Sequence, residues 1–69
     1  MTDEVLLTLA LHGGEEQWQE LHKLCLERPT AEQLARALER GANQQIDQAV
    51  AWAGVLEDLH PGLKVALPP

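Results

Sequence analysis

Apolar and polar positions along the chain fall into segments of two textures. In the first segment, Val5-Leu6-Leu7-Thr8-Leu9-Ala10-Leu11, six of seven residues are apolar, so a helix built from them is apolar on nearly every side. A short apolar run also permits a strand, but four leucines in seven residues favour the helix. Thr2 is placed to cap it, Asp3 and Glu4 complement the positive end of its dipole, and Gly13-Gly14 predicts its stop.

The second segment, about Glu15 to Arg28, is amphipathic. Trp18, Leu21, Leu24 and Cys25 fall on one arc, with Glu16, Glu20, Lys23 and Glu27 opposite. Pro29 predicts its end. Thr30, with Gln33 three residues on, has the spacing of a capping box and predicts a third helix carrying Leu34, Ala35 and Leu38 inward as far as Gly41.

Asn43 is placed to cap a fourth helix, which runs to about His60 because Pro61 disfavours helical geometry before it. Ile46, Ala49, Val50 and Ala53 form one face, and Trp52, Val55, Leu56 and Leu59 extend it. That width predicts a central helix with the second and third against it, Ala49, Ala53 and Gly54 allowing close approach. The tail, Leu63 to Leu67, alternates apolar residues around Lys64 and Ala66 and predicts an extended strap.

Composition agrees with the helical pattern. Thirteen leucines and nine alanines stand against five valines and isoleucines together, with no Phe or Tyr. The expected fold is all-α: one domain over residues 1–69, a compact bundle of three to four short helices with an extended C-terminal tail. A chain this short buries only about 60% of the surface its unfolded form exposes, so its core is thin.

Charge narrows the partners. Five basic and eleven acidic side chains give a net charge of −6, which repels phosphate and disfavours nucleic acid and anionic membrane surfaces. No apolar stretch approaches the about 20 residues of a membrane span. The acidic start, Met1-Thr2-Asp3-Glu4, lacks the basic region of an export signal, and the single cysteine, Cys25, fits a reducing compartment. A cytoplasmic location is expected.

Candidate chemistry is sparse. His22 and Cys25 are helix neighbours, and His12 and His60 could approach them, but structural zinc sites show two closely spaced ligand pairs. The chain has no serine, so Cys25 with His22 is the one candidate pair for a nucleophile and its base, and a thiol in mid-helix has nothing to lower its pKa. Glu15-Glu16 and Glu57-Asp58 read as solvated helix surface, and Gly13-Gly14 lacks the Lys-Ser or Lys-Thr of a phosphate loop. No catalytic role, cofactor or metal is expected.

Two spacings have a wider meaning to weigh. Trp18 and Trp52 lie 34 residues apart, the tetratricopeptide period, but His22 stands where that pattern needs glycine, and two repeats are too few for an array. Thr30 to Leu38 is similar to the first helix of a helix-turn-helix, with Gln44, Gln45 and Gln48 then opening a recognition helix after Asn43. Its basic neighbourhood would be Arg28, Arg36 and Arg40 alone, with Glu32 and Glu39 among them as ion-pair partners. A DNA-associated transcriptional regulator is therefore the alternative reading.

The leading expectation comes from apolar excess: a first helix apolar all round needs more cover than three short neighbours readily give. Either a protein partner or second copy covers Leu6, Leu7, Leu11, Trp18, Leu63 and Val65, or the tail residues Leu63, Val65 and Leu67 fold back and close the core within one chain. Trp52, inside the wide arc, is assigned to the core, and Trp18, near its helix start, to an interface. The expected function is a small, acidic, non-catalytic protein-interaction module, an adaptor, co-chaperone or inhibitor, working with a protein partner or as a homodimer.

Overall fold

The computed structural model describes residues 2–41 and 45–67. They form helices α1 (Asp3–His12), α2 (Glu15–Leu24), α3 (Arg28–Gly41) and α4 (Ile46–Leu59), followed by an extended strap over 63–67; no strand occurs among the described residues. The all-α expectation holds, and the apolar run from Val5 is helix.

Local chemistry sets the ends of α1 as the sequence implies. Thr2 has extended backbone and its Oγ1 accepts from the Val5 N–H at 3.3 Å, while Asp3 and Glu4 occupy the first turn. The helix stops at Gly13, where a Cβ would run into the Leu9 carbonyl oxygen and Gln17 Cβ. Gly14 opens α2, its N–H donating to Gln17 Oε1 at 2.9 Å.

The junction of α2 and α3 corrects the expected boundaries. Helix α2 ends at Leu24, four residues before Arg28, and its last turn tightens through bonds from Leu26 N–H to the Lys23 carbonyl and from Glu27 N–H to the Leu24 carbonyl, both 3.2 Å. Pro29 lies inside the first turn of α3, starting that helix where the sequence reading had it end the previous one. A proline there sacrifices no hydrogen bond, because first-turn N–H groups have no helical partner. Thr30 is consequently helical and caps nothing, and Gln33 Nε2 donates to Asp3 Oδ1 of α1 at 3.0 Å.

The expected cap of α4, Asn43, lies outside the described residues; within them the helix begins after Gln45, whose side chain makes no capping bond.

The central helix is α1, not α4. It packs against α2, α3 and α4, whereas α4 has α1 and α3 as its main neighbours. A helix apolar on nearly all sides is the one that neighbours can surround. Leu6, Ala10 and Leu11 are buried, Leu7 and Leu9 are partly covered, and Glu4, Val5, Thr8 and His12 form an exposed stripe. Of the wide arc assigned to α4, Ala49, Trp52, Ala53 and Leu56 are buried and Val55 and Leu59 pack partly buried against the core; Ile46 and Val50 are exposed, and Gly54 faces open space with no close neighbour.

Leu21, Cys25, Leu34, Leu38 and Leu56 complete the core with Ala31 and Ala35. Each fully buried leucine contributes about 1.5–3 kcal/mol by removal from water. The strap joins this core: Leu63 is buried, Val65 and Leu67 pack against it, and Lys64 and Ala66 face out. Pro61 and Gly62 turn the chain from α4 into the strap, with Gly62 at φ +99° and Leu63 N–H donating to the His60 carbonyl at 2.9 Å. Proline followed by a positive-φ glycine is the pattern of a type II turn.

Candidate functional site

Two helices that both pack on α1 meet each other through a pair of tryptophans. Trp18 of α2 and Trp52 of α4 stand edge to face, ring centroids 5.7 Å apart and planes at 71°. Such a pair contributes about 0.5–1.5 kcal/mol beyond its area burial. Trp52 is 3% exposed and belongs to the core, as its position in the apolar arc implied; Trp18 is only partly buried. Both indole Nε1 atoms are buried, and neither finds an acceptor among the described residues. A buried donor without a partner costs about 1–3 kcal/mol.

Around this pair lies an open cleft of about 450 Å³, walled by Trp18, Gln19, His22 and Lys23 on α2 and by Ala51, Trp52 and Val55 on α4. The spacing explains the walls: residues at i, i+1, i+4 and i+5 of α2 share one side, as do i, i+1 and i+4 of α4. The floor is apolar. Lys23 on the rim is exposed and makes no ion pair with a described carboxylate, whereas Arg28 pairs with Glu32 at 3.1 Å, Arg36 with Glu39 at 2.9 Å and Arg40 with Asp3 at 3.6 Å. The rim thus offers a free cation on a chain whose net charge is −6.

The six residues expected at an interface separate into two groups. Leu6, Leu11 and Leu63 lie in the chain's own core cluster. Leu7 and Val65 are partly buried against that cluster, and Trp18 packs against it while lining the cleft. Helices α2, α3 and α4 all pack on α1. Sequence reasoning did not identify Gln19, His22, Lys23, Ala51 and Val55 as cleft residues; the available signal was that the only two aromatic side chains of the chain sit on different helices, each with apolar or long side chains one turn away.

Cys25 is fully buried beside α2, and burial pushes its thiol from 9.0 up to about 11. At neutral pH it is a protonated thiol with no exposed surface, and so a poor nucleophile. Its carbonyl, at the end of α2, hydrogen-bonds His60 Nε2 at 2.7 Å, tying the C-terminal ends of α2 and α4 together. His22 is exposed on the cleft rim, and among the described residues no three His, Cys, Asp or Glu side chains gather as metal ligands. No described helix is long and apolar enough to cross a membrane.

In the helix-turn-helix comparison, the expected pairing of Glu32 and Glu39 with arginines is present, and all three arginines of that region are engaged with carboxylates. Gln45 is exposed and Gln48 half-buried, while Gln44 lies outside the described residues. Compared with known proteins, the chain matches no protein-family model, no curated protein and no solved structure.

Proposed function

We propose that this chain is a small, acidic, non-catalytic protein-interaction module, of the adaptor, co-chaperone or inhibitor kind, that seats an apolar segment of a partner protein in the Trp18–Trp52 cleft. One observation carries the reading: an open, apolar-floored cleft of about 450 Å³ built on two tryptophans, in a chain whose other large apolar side chains are mostly consumed by its own core. Tryptophan is enriched where binding energy concentrates, because a large rigid ring is desolvated at little entropic cost. The exterior charge of −6 favours encounter with a partner of basic net charge, while Lys23 on the rim favours an acidic group beside the seated segment.

The non-catalytic reading is supported by the protonated, buried thiol of Cys25 and by the absence of serine from the sequence. The DNA-associated alternative has weaker support, since its three arginines already face carboxylates. The partner is another protein or a second copy of the chain, met in the cytoplasm, where a lone cysteine stays reduced.

The test uses Trp18→Ala beside Val50→Ser, an exposed position outside the cleft. Proteins retained from native lysate by the unmodified chain and by Val50→Ser are expected to be lost with Trp18→Ala while its thermal melt stays cooperative. Equal retention by all three chains, or global unfolding of Trp18→Ala, contradicts the reading.

A further inference from the structure

Helix α2 sorts its charges by side. The groove it forms with α1 is lined by Leu9 and Leu24 and carries the carboxylates of Glu16 and Glu20. The tryptophan cleft it forms with α4 carries Gln19, His22 and Lys23 on its α2 wall and no carboxylate on either wall. Eleven acidic side chains make that exclusion informative, since α4 holds Asp47, Glu57 and Asp58 and none of them lines the cleft. Glu15 stands in a separate depression beyond Trp18, at the end of α2 away from Lys23. Glu20 and Glu27 lie three and four positions from Lys23, but the ion pairs among the described residues leave Lys23 out. An amide, an imidazole and an ammonium thus line the cleft with N–H groups to offer.

We propose that the occupant of the cleft is an acidic-apolar segment of a partner protein: one large apolar side chain seated on the Trp18–Trp52 floor, and an Asp or Glu further along that reaches Lys23. This rests on the function proposed above and adds the chemistry by which the partner is chosen. Trp18 and Lys23 are five positions apart on one helix, about 7.5 Å along its axis. Anchor and carboxylate are therefore separated by about one helical turn, or by about two residues of extended chain. The direction is set as well, because the carboxylate end lies towards Lys23 and away from Glu15.

The two parts of the segment contribute unequally. The apolar anchor supplies most of the affinity, because it covers a floor that the chain leaves open. Lys23 is exposed, so its pair with a carboxylate stays at a solvated rim and selects among apolar segments more than it tightens them. The net charge of −6 acts at a distance, where salt screens it beyond about 8 Å, whereas Lys23 acts at contact. The bulk charge alone would select basic segments, so an acidic position beside the anchor is a result that bulk charge does not produce.

The experiment is selection from a phage-displayed library of random peptides on the full chain, in parallel on Lys23→Glu and Trp18→Ala. On the unmodified chain the enriched peptides are expected to share a large apolar residue with Asp or Glu about one helical turn or two extended residues away. On Lys23→Glu that position is expected to turn to Lys or Arg, and on Trp18→Ala the shared pattern is expected to vanish. An enriched peptide, synthesised without Trp, is then titrated by intrinsic fluorescence, since Trp18 and Trp52 are the chain's only aromatic residues and both line the cleft. Replacing its acidic residue by Gln is expected to weaken binding to the unmodified chain about two- to fivefold and not to weaken binding to Lys23→Glu. Should Trp18→Ala not fold, Ala51→Gln, which crowds the cleft from an exposed position, takes its place. Apolar peptides without a preferred acidic position, but lost on Trp18→Ala, overturn this proposal and leave the cleft as a docking site. Peptides indifferent to Trp18→Ala, or no enrichment at all, overturn both.

Discussion

The two flanks of α1 are built differently. On the α3 flank, tertiary polar contacts accumulate: Asp3 accepts from Gln33 at 3.0 Å and pairs with Arg40 at 3.6 Å, and the Arg36–Glu39 pair clamps the strap over the core. On the α2 flank, helices α2 and α4 share an edge-to-face tryptophan pair whose two indole N–H groups find no acceptor among the described residues, an open cleft, and a hydrogen bond between the His60 ring and the end of α2. One flank is closed by the chain itself; the other leaves apolar surface for something else to cover. In a domain this small, closing everything is not a requirement of folding, so the open flank is the better guide to function.

The contrast can be broken first at the hub. Leu6 is fully buried on α1, and Leu6→Ala is expected to cost about 3–4 kcal/mol, enough to leave a marginal domain without a cooperative transition. Retention of a sharp calorimetric melt within a few degrees of the unmodified chain would mean that α1 is not the element around which the rest packs.

Next in size is the thiol. Folding raises the pKa of Cys25 from 9.0 to about 11, so the fold prefers the protonated form. This contribution is fully present below pH 9 and is lost as pH rises through 11, the loss reaching about 2 kcal/mol by pH 11. Urea titrations from pH 8 to 11 are expected to show that decline in the unmodified chain and a flatter profile in Cys25→Ala. The same burial predicts that Ellman's reagent modifies Cys25 only as fast as α2 opens to expose it.

Smaller effects separate the flanks. Trp18→Ala removes a partly buried ring and its contact with Trp52 and relieves one unpartnered donor, so a loss of about 1–2 kcal/mol with cooperativity intact is expected. Arg40→Ala removes an exposed ion pair with Asp3 at 3.6 Å and is expected to change stability by no more than about 0.5 kcal/mol, as judged by chemical denaturation.

What was legible from the sequence was local. Thr2, Asp3, Glu4 and Gly13 mark α1 because capping and termination depend on neighbours along the chain. The buried faces of α2 and α3 follow from helical periodicity, and the inward set Leu63, Val65 and Leu67 from alternation. Pro29 was ambiguous because the property that ends one helix also suits the first turn of the next. The centre is α1 and not α4 because the apolar arc of α4 includes Ile46 and Val50, which the structure leaves exposed, while the leucines around α1 meet three helices.

The cleft and the strap clamp were not legible. Each joins residues about thirty positions apart, Trp18 with Trp52, Arg36 with Lys64 and Glu39 with Ala66, through helix placements that no local pattern encodes.

Residue-resolved amide hydrogen exchange tests the contrast most directly. The account predicts that α1 and α3 amides exchange only through global unfolding, while α2 amides lining the cleft exchange through openings of lower free energy. Protection in α2 equal to that in α1 would contradict it, because the two flanks would then be closed alike.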